Sequence, residues 1–405
     1  MNPLRRVPPA HSPVPPRALA AGLRALLRPD GGLRDRMAAR VARRHGARRV
    51  VFTDSGTSAL ALALAGAAAA DERGGRVALP AYGCYDLVTA VRAAGAEVVL
   101  HDLEPSTLSP DPDSLRRALD AGAGTVVAAH LYGVPVRLDE VAGLAADAGA
   151  LLVEDAAQGV GADHGGRPLG SHGSVSVLSF GRGKGLSGGG GGALLAHDDR
   201  GEAVLEAAGE PGRSGGRGLR EVAAAAAQWA LGRPALYGLP AALPFLALGE
   251  TVYRPPRPPA GIPPACLAVL ERSWDPSLRE AEGRRRRARR LLEAVRSAGD
   301  LEPVEAPQEG RPGYLRLPVL ARGPAARERL SGPEARRLGV MPGYPRPLHR
   351  LAPCCEALAG GRVLSDEALP GAVALAGSLF TLPVHGRTGP DDLERLGRLV
   401  AAEPA

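Results

Sequence analysis

The sequence predicts an α/β fold: a large three-layer domain on a mainly parallel sheet, followed by a smaller C-terminal α+β domain. The 405 residues exceed one ordinary domain, at about 150 residues per domain. Through the first half, short β-rich runs alternate with helical stretches, as in a parallel sheet covered on both faces. A proline-rich segment at 253–264 then separates a second region.

The elements of the large domain alternate regularly along the chain. The predicted strands are residues 49–53, 77–79, 97–101, 125–130, 151–154 and 176–180. The predicted helices are an Ala/Leu-rich one that ends near residue 70, followed by 87–94, 112–121 and 138–149. In such sheets, ligands bind at the carboxyl ends of the strands. The polar motifs of this chain lie at those ends.

The predicted domains are an N-terminal arm at 1–34, a large domain at 35–252 and a small domain at 253–405. The first 16 residues are rich in Pro and Arg and have no apolar core, so we do not expect a signal peptide. In the small domain we expect a long helix at 267–297, strands at 315–320 and 381–385, and a final helix from Pro390.

An apolar insert at about 222–249 interrupts the large domain, and its only charged residue is Arg233. Length alone would admit a membrane span. Pro234, Pro240 and Pro244 would break a continuous helix. We therefore expect a buried or interfacial helical insert, with peripheral membrane contact as the alternative.

The composition limits the class of protein. Hydrophobic residues make up 45% of the chain and aromatic residues 3%, so the core must be mostly Ala, Leu and Val. The net charge is +7, but the arginines are scattered, and the dense run at 284–290 predicts a solvated helix face. No motif supports nucleic-acid binding. The four cysteines indicate neither a disulfide framework nor a CxxC site, which favours a cytoplasmic protein.

Lys184 is the single lysine of the chain, while arginine serves at every other Lys/Arg position. Arginine provides charge, but its pKa stays above roughly 12, so it cannot attack a carbonyl as a free amine. A lone lysine in this background indicates amine chemistry, above all a Schiff base. The alternative is that Lys184 occurs on a loop by chance and has no chemical role.

An anion site is predicted where residues 55–58 follow a strand and begin a helix. Free amides, a hydroxyl and the positive end of the helix dipole suit a phosphate there. Ordinary helix capping by the same residues is the alternative.

Two carboxylates, Glu154 and Asp155, end another predicted strand. A buried carboxylate is costly without a partner. A protonated pyridine nitrogen is one such partner, and pairing with it makes a cofactor ring an electron sink. A structural ion pair and a metal ligand are the alternatives.

Ser179 ends the strand that leads to Lys184, and five glycines follow at 188–192. A glycine-rich loop lets the backbone approach a ligand closely. Ser179 is placed to donate its hydroxyl to a phosphate. A phosphate cup, an acid for a ring nitrogen and an amine nucleophile are together the requirements of pyridoxal 5′-phosphate (PLP) chemistry.

The motifs resemble those of the DegT/DnrJ/StrS-type sugar aminotransferases, which belong to the aspartate-aminotransferase-like (fold type I) PLP enzymes. The resemblance is strong over residues 35–200 and loose over 265–400. The residues that carry it are Gly56-Thr57-x-Ala59-Leu60, Pro80-Ala81-Tyr82, His130-Leu131-Tyr132-Gly133-x-Pro135, Glu154-Asp155-Ala156-Ala157-Gln158, Gly161-Ala162 and Ser179-Phe180 with Lys184.

The resemblance implies that Lys184 forms the Schiff base with PLP and shuttles protons. It also implies that Asp155 pairs with the pyridine nitrogen and that Gln158 lies near the ring's phenolic oxygen. Ser179, with Gly56 and Thr57, would hold the phosphate. No metal is expected.

The chain also departs from the family pattern. Cys84 stands where family members usually place a ring-stacking Phe or Trp, and Tyr82 or Tyr85 is the possible substitute. The family's Asn-containing segment, which reaches the neighbouring subunit's phosphate, is not recognisable. Residues 209–218 and the apolar insert take its place. For His130, a place in the site and a satisfied buried position both remain open.

The leading hypothesis is a PLP-dependent aminotransferase that moves an amino group from glutamate or glutamine to a keto-sugar. We expect the sugar to be nucleotide-linked, the pathway to make surface polysaccharide or secondary metabolites, and the protein to be a homodimer. Alternatives are a lyase or decarboxylase with the same fold and cofactor, or a non-catalytic regulatory member. A dehydratase branch of the family carries histidine in place of the lysine, and Lys184 argues against it.

Overall fold

The computed structural model describes residues 4–70, 75–243, 248–361 and 364–402. In chain order its strands are β1 (Arg49–Thr53), β2 (Arg76–Pro80), β3 (Glu97–His101), β4 (Thr125–Ala129), β5 (Leu151–Asp155), β6 (Asp163–His164), β7 (Arg167–Pro168), β8 (Val175–Ser179), β9 (Gly192–Ala196), β10 (Leu301–Pro303), β11 (Gly310–Arg311), β12 (Leu317–Ala321), β13 (Met341–Pro342) and β14 (Leu379–Leu382).

The helices alternate with these strands in the first half and dominate the second. They are α1 (Pro16–Leu27), α2 (Leu33–His45), α3 (Gly56–Ala70), α4 (Asp86–Ala94), α5 (Pro112–Asp120), α6 (Leu138–Asp147), α7 (Asp199–Ala208), α8 (Leu219–Leu231), α9 (Gly238–Ala241), α10 (Pro264–Ser297), α11 (Pro324–Ser331), α12 (Pro333–Arg337), α13 (Ala352–Cys355), α14 (Pro370–Ser378) and α15 (Pro390–Ala401).

A seven-stranded sheet in the order β1-β9-β8-β5-β4-β2-β3 forms the centre of the large domain. Neighbouring strands from β8 to β3 are parallel, and β9 pairs antiparallel with both β1 and β8. Alternate residues face different cores: Val153 packs in one cluster and Leu152 in the other. This alternation buries both faces under helices. The predicted mainly parallel, three-layer α/β fold is confirmed.

The β9 strand was not predicted, because its residues are buried on both faces and show no alternation of polar and apolar side chains. The glycines before it serve close packing. A Cβ on Gly192 would lie 2.5 Å from the carbonyl oxygen of Ser55, and one on Gly188 would lie 2.8 Å from that of Cys266. Glycine at these two positions therefore lets the main chain pass close to the residues after β1 and to α10.

The second half forms a small antiparallel sheet in the order β10-β12-β14-β13, with its own hydrophobic core. Helix α10 joins the two cores. Residues 265–274 pack in the large core, and residues 288–295 pack in the small one. The change from one core to the other therefore lies within α10.

The arginine run in α10 corrects one prediction. We expected a solvated face, but Arg284 is fully buried and Arg285 is 9% exposed. Arg284 donates from Nε to Gly313 O and from Nη2 to Val160 O, each at 2.8 Å. The two arginines face away from solvent because the loops after β5 and β11 offer them main-chain carbonyl acceptors.

The N-terminal arm packs along the body of the protein. Helix α1 contacts α8 and α10. Ahead of α1, Val7 N donates to Arg337 O at 2.8 Å, and His385 Nε2 lies 2.7 Å from Pro8 O. The arm therefore connects the small domain to the region of the apolar insert.

The apolar insert forms two short helices, as its prolines predicted. Helix α8 ends at Leu231, and Pro240 lies in α9; Pro244, with residues 245–247, lies outside the described residues. Leu231, Leu239 and Leu243 are 38–45% exposed. Over the part of the chain that the structure describes, no helix combines the length and apolar character needed to cross a membrane.

Candidate active site

One pocket opens at the carboxyl ends of the parallel strands. It lies where β1, β4, β5 and β8 end, which is the ligand-binding edge of such sheets. Seven of the residues predicted from the sequence line it, namely Gly56, Thr57, Cys84, Asp155, Gln158, Ser179 and Lys184. Residues from five separate stretches of the chain therefore meet at one place.

The amino end of α3 forms one wall of the pocket. A Cβ on Gly56 would lie 2.7 Å from Ser179 Cβ and 3.0 Å from Ser179 Oγ, so only glycine lets the helix approach β8 this closely. Ser55 Oγ accepts from Ser58 N at 3.1 Å and therefore caps the helix. The capping alternative for residues 55–58 therefore holds for Ser55, while Gly56 and Thr57 line the pocket at the positive end of the helix dipole. The phosphate site at this helix end stays a prediction.

Asp155 ends β5, with its carboxylate in the pocket. Its Oδ1 accepts from Ala157 N at 2.9 Å, and no group among the described residues donates to Oδ2. Burial is the largest influence and raises the pKa of Asp155, while the Ala157 hydrogen bond and the positive charge of Lys184 act against it. A cationic N–H donor placed beside such a carboxylate would favour its charged form.

Glu154, the preceding residue, is fully buried and saturated with donors. Gly170 N donates at 2.6 Å, His172 N at 2.7 Å, and Ser176 Oγ and His130 Nε2 at 3.1 Å. Burial alone would raise the pKa of Glu154, but these donors, His130 first, bring it below its ordinary value. These hydrogen bonds give Glu154 a structural role at the end of β5.

His130 fills both roles left open by the sequence. It lines the pocket, and both ring nitrogens are satisfied. Because the main-chain N–H of Val136 donates to Nδ1 at 3.2 Å, Nε2 carries the proton donated to Glu154. These two hydrogen bonds fix the orientation of the imidazole ring.

Lys184 lies on the loop after β8, between two glycines with left-handed backbone conformations. The φ angles are 73° at Gly183 and 83° at Gly185. Gly185 N donates to Ser12 Oγ at 3.0 Å, which ties the loop to the N-terminal arm. Sequence reasoning missed Ser12, because nothing near it in the sequence signals a contact 173 residues away.

The aromatic residues proposed as ring covers lie elsewhere. Neither Tyr82 nor Tyr85 lines the pocket; Tyr82 is fully buried, and its hydroxyl accepts from Tyr344 N at 2.8 Å. Cys84 does line the pocket. Burial, and next the charge of Asp86, raise the pKa of the Cys84 thiol to about 12, so the thiol stays protonated.

Fold and site together define a fold type I α/β protein with a strand-end pocket that holds a lysine and a carboxylate. Two solved structures share the fold over almost their full length. AtS13 from Actinomadura melliaura matches with a TM-score of 0.75 at 22% identity, covering 99% of both chains. DesV from S. venezuelae matches with a TM-score of 0.73 at 24% identity, covering 95% of this chain and 93% of that one.

The model of the DegT/DnrJ/EryC1/StrS aminotransferase family matches residues 23–224, and the chain belongs to this family. An L-glutamine:2-deoxy-scyllo-inosose aminotransferase from Streptomyces kanamyceticus is 34% identical over 187 residues, or 45% of this chain and 43% of that relative. GDP-perosamine synthase from Caulobacter vibrioides is 31% identical over 154 residues, or 38% and 41%. The matches thus span less than half the length of these curated relatives.

Proposed function

We propose that this protein is a PLP-dependent aminotransferase that transfers an amino group from glutamine or glutamate to a keto-sugar. The observation that carries the proposal is the meeting of Lys184, Asp155 and the Gly56–Ser179 contact in one pocket. It joins an amine, a carboxylate with an unused oxygen and an anion-binding helix end. Family membership supports the same reaction type.

The residues present fit PLP. Ser179 Oγ and the amides at Gly56 and Thr57 would hold its phosphate, Asp155 Oδ2 would accept from its ring nitrogen, and Lys184 Nζ would bond to it covalently. PLP supplies an electron sink that stabilises charge on the substrate carbon. Lys184 Nζ, when it is neutral and released, would then take and return the proton at that carbon.

The two carboxylates, Asp155 and Glu154, have different roles in this proposal. Asp155 keeps the ring nitrogen protonated, because a carboxylate favours a cation beside it. Glu154 holds His130 and the turn at 170–172, and so keeps the end of β5 in place. The Cys84 thiol forms a small, neutral part of the pocket wall.

The cofactor is tested by adding PLP to the purified protein and recording its visible absorption. We expect a band that is lost in Lys184→Arg, which keeps the charge and removes the amine. Arg182→Lys, which places a second amine on the same loop, is the matched control and should keep the band. A colourless wild-type protein that does not respond to PLP would contradict the proposal.

We propose a nucleotide-linked keto-sugar as the acceptor. Relatives at similar identity are named for both kinds of substrate, inososes and nucleotide-linked sugars. Transfer of nitrogen from ¹⁵N-labelled glutamine or glutamate should be measured with both kinds of ketone. Amination of the inosose alone would overturn the nucleotide-linked part. Release of CO₂ or ammonia without an aminated sugar would instead identify a decarboxylase or a lyase.

We also propose that two copies associate through α8 and α9. Leu231, Leu239 and Leu243 leave an apolar surface there, and such surfaces mark contact sites. Sedimentation should show a dimer that Leu239→Glu weakens. Binding to anionic lipid vesicles by a protein that remains monomeric would favour the peripheral membrane alternative instead.

A further inference from the structure

The side-chain amide of Gln158 is held by two groups outside the pocket. Tyr132 N donates to its Oε1 at 3.1 Å, and its Nε2 lies 3.0 Å from Tyr344 Oη. A main-chain N–H can only donate, so the contact with Tyr132 fixes which end of the amide is oxygen. Nε2 is therefore the donor to Tyr344, and its second N–H has no acceptor among the described residues.

Tyr344 is itself held where the small domain meets the large one. Its N–H donates to Tyr82 Oη at 2.8 Å. Its ring stacks on Tyr132 at 5.6 Å between centroids and meets Tyr82 edge-on at 5.5 Å. We call Tyr82, Tyr132 and Tyr344 the tyrosine cluster. Two of its members belong to the large domain and the third follows β13.

The main chain before Tyr344 lies in close contact with the tyrosine cluster. A Cβ on Gly343 would lie 2.1 Å from Tyr82 Oη, so the segment before Tyr344 reaches the cluster only because residue 343 is glycine. On either side, Gly343 N donates to Leu379 O at 2.8 Å and Leu348 N to Ala81 O at 2.7 Å. Residues 343–348 thus bridge β14 and the residues after β2.

We propose that Tyr344 is a positioning residue for Gln158: its hydroxyl accepts one N–H and thereby turns the other toward the pocket. The inference rests on the proposed function, in which the pocket holds PLP, so that the free N–H meets an electron-rich oxygen of the bound molecule. The orientation of Gln158 in the large domain then depends on the correct packing of the small domain, which carries Tyr344.

The test with cofactor is a double-mutant cycle on PLP affinity and on the pH midpoint of the visible band. Tyr344→Phe removes only the hydroxyl, and we expect about a three- to tenfold weaker affinity, the range for one hydrogen bond. Gln158→Ala should weaken binding and shift the midpoint, and adding Tyr344→Phe to it should change neither further. Tyr253→Phe, a half-buried tyrosine outside the cluster, is the matched control and should leave both unchanged.

A second measurement needs no cofactor. Hydrogen–deuterium exchange of the Tyr132 amide, which donates to Gln158 Oε1, should become faster in Tyr344→Phe and stay unchanged in Tyr253→Phe. Additive losses in the cycle, or unchanged exchange at Tyr132, would overturn the role of Tyr344. Failure of the wild-type protein to bind PLP would count against the proposed function, and the exchange experiment would still judge the inference.

Discussion

Glu154 and Asp155 are consecutive residues of β5, yet their carboxylates have opposite surroundings. Glu154 accepts four hydrogen bonds inside the protein, while Asp155 accepts one and leaves an oxygen open to the pocket. Successive side chains of a strand point to opposite sides, so Glu154 faces donors inside the protein while Asp155 faces the pocket.

This division predicts different results for two matched substitutions. Asp155→Asn should leave the free energy of unfolding near that of the wild type but abolish most aminotransfer, because an amide does not hold a proton on a ring nitrogen. Glu154→Gln should lower the free energy of unfolding by about 1–3 kcal/mol, because an amide group cannot accept from four donors. Urea unfolding and a transamination assay measure both. Equal loss of stability in the two variants would contradict the division.

Gly56 is predicted to be essential for the phosphate end of the pocket. In Gly56→Ala the new Cβ would press on Ser179, whose side chain lies 2.7 Å away. We expect PLP affinity to fall at least about tenfold, equivalent to about 1.4 kcal/mol. Gly31→Ala is the control, because nothing lies within 4 Å of a Cβ there. Equal affinities for PLP in the two variants would remove Gly56 from the phosphate site.

Arg284 is predicted to be a stability residue rather than a surface charge. Arg284→Ala would leave a cavity and two carbonyls without their donor, and we expect a loss of about 3–5 kcal/mol. Arg286→Ala, two residues along on the exposed face, should change the free energy of unfolding by less than about 0.5 kcal/mol. Chemical denaturation of both variants at the same pH checks this contrast.

Buried histidines predict a loss of stability in mild acid. Burial lowers the pKa of His45, His101 and His385 from 6.5 to about 4. Between these values the unfolded chain binds protons that the folded protein does not, so stability falls as pH falls. Each histidine contributes up to about 1.4 kcal/mol per pH unit in that window.

Urea unfolding between pH 7 and pH 4.5 measures this slope. His101→Asn removes one of these groups. The fall of the free energy of unfolding with pH should therefore be shallower by the contribution of one histidine. A pH slope identical to that of the wild type would show that His101 is protonated in the folded protein, or neutral in both states.

The sequence predicted the fold class and most of the large domain's strands, because buried parallel strands and the helices between them have distinct local patterns. Strands 49–53 and 97–101 match the structure residue for residue. The order of Asp155, Ser179 and Lys184 also predicted that they would meet, since each follows or ends a strand. The short two-residue strands and β9 were missed because little in their local pattern marks them.

The sequence by itself determined which chemical groups the pocket can contain, because a lone lysine and a carboxylate at a strand end keep their chemistry in any packing. The tertiary structure alone decided which carboxylate is saturated, which arginines are buried and where the tyrosines lie. Those outcomes depend on donors and carbonyls from distant segments: Gly170 for Glu154, Gly313 for Arg284 and Tyr344 for Gln158. The partners in these contacts are far apart in the sequence. Local sequence patterns therefore cannot indicate them, and they form only when the chain folds.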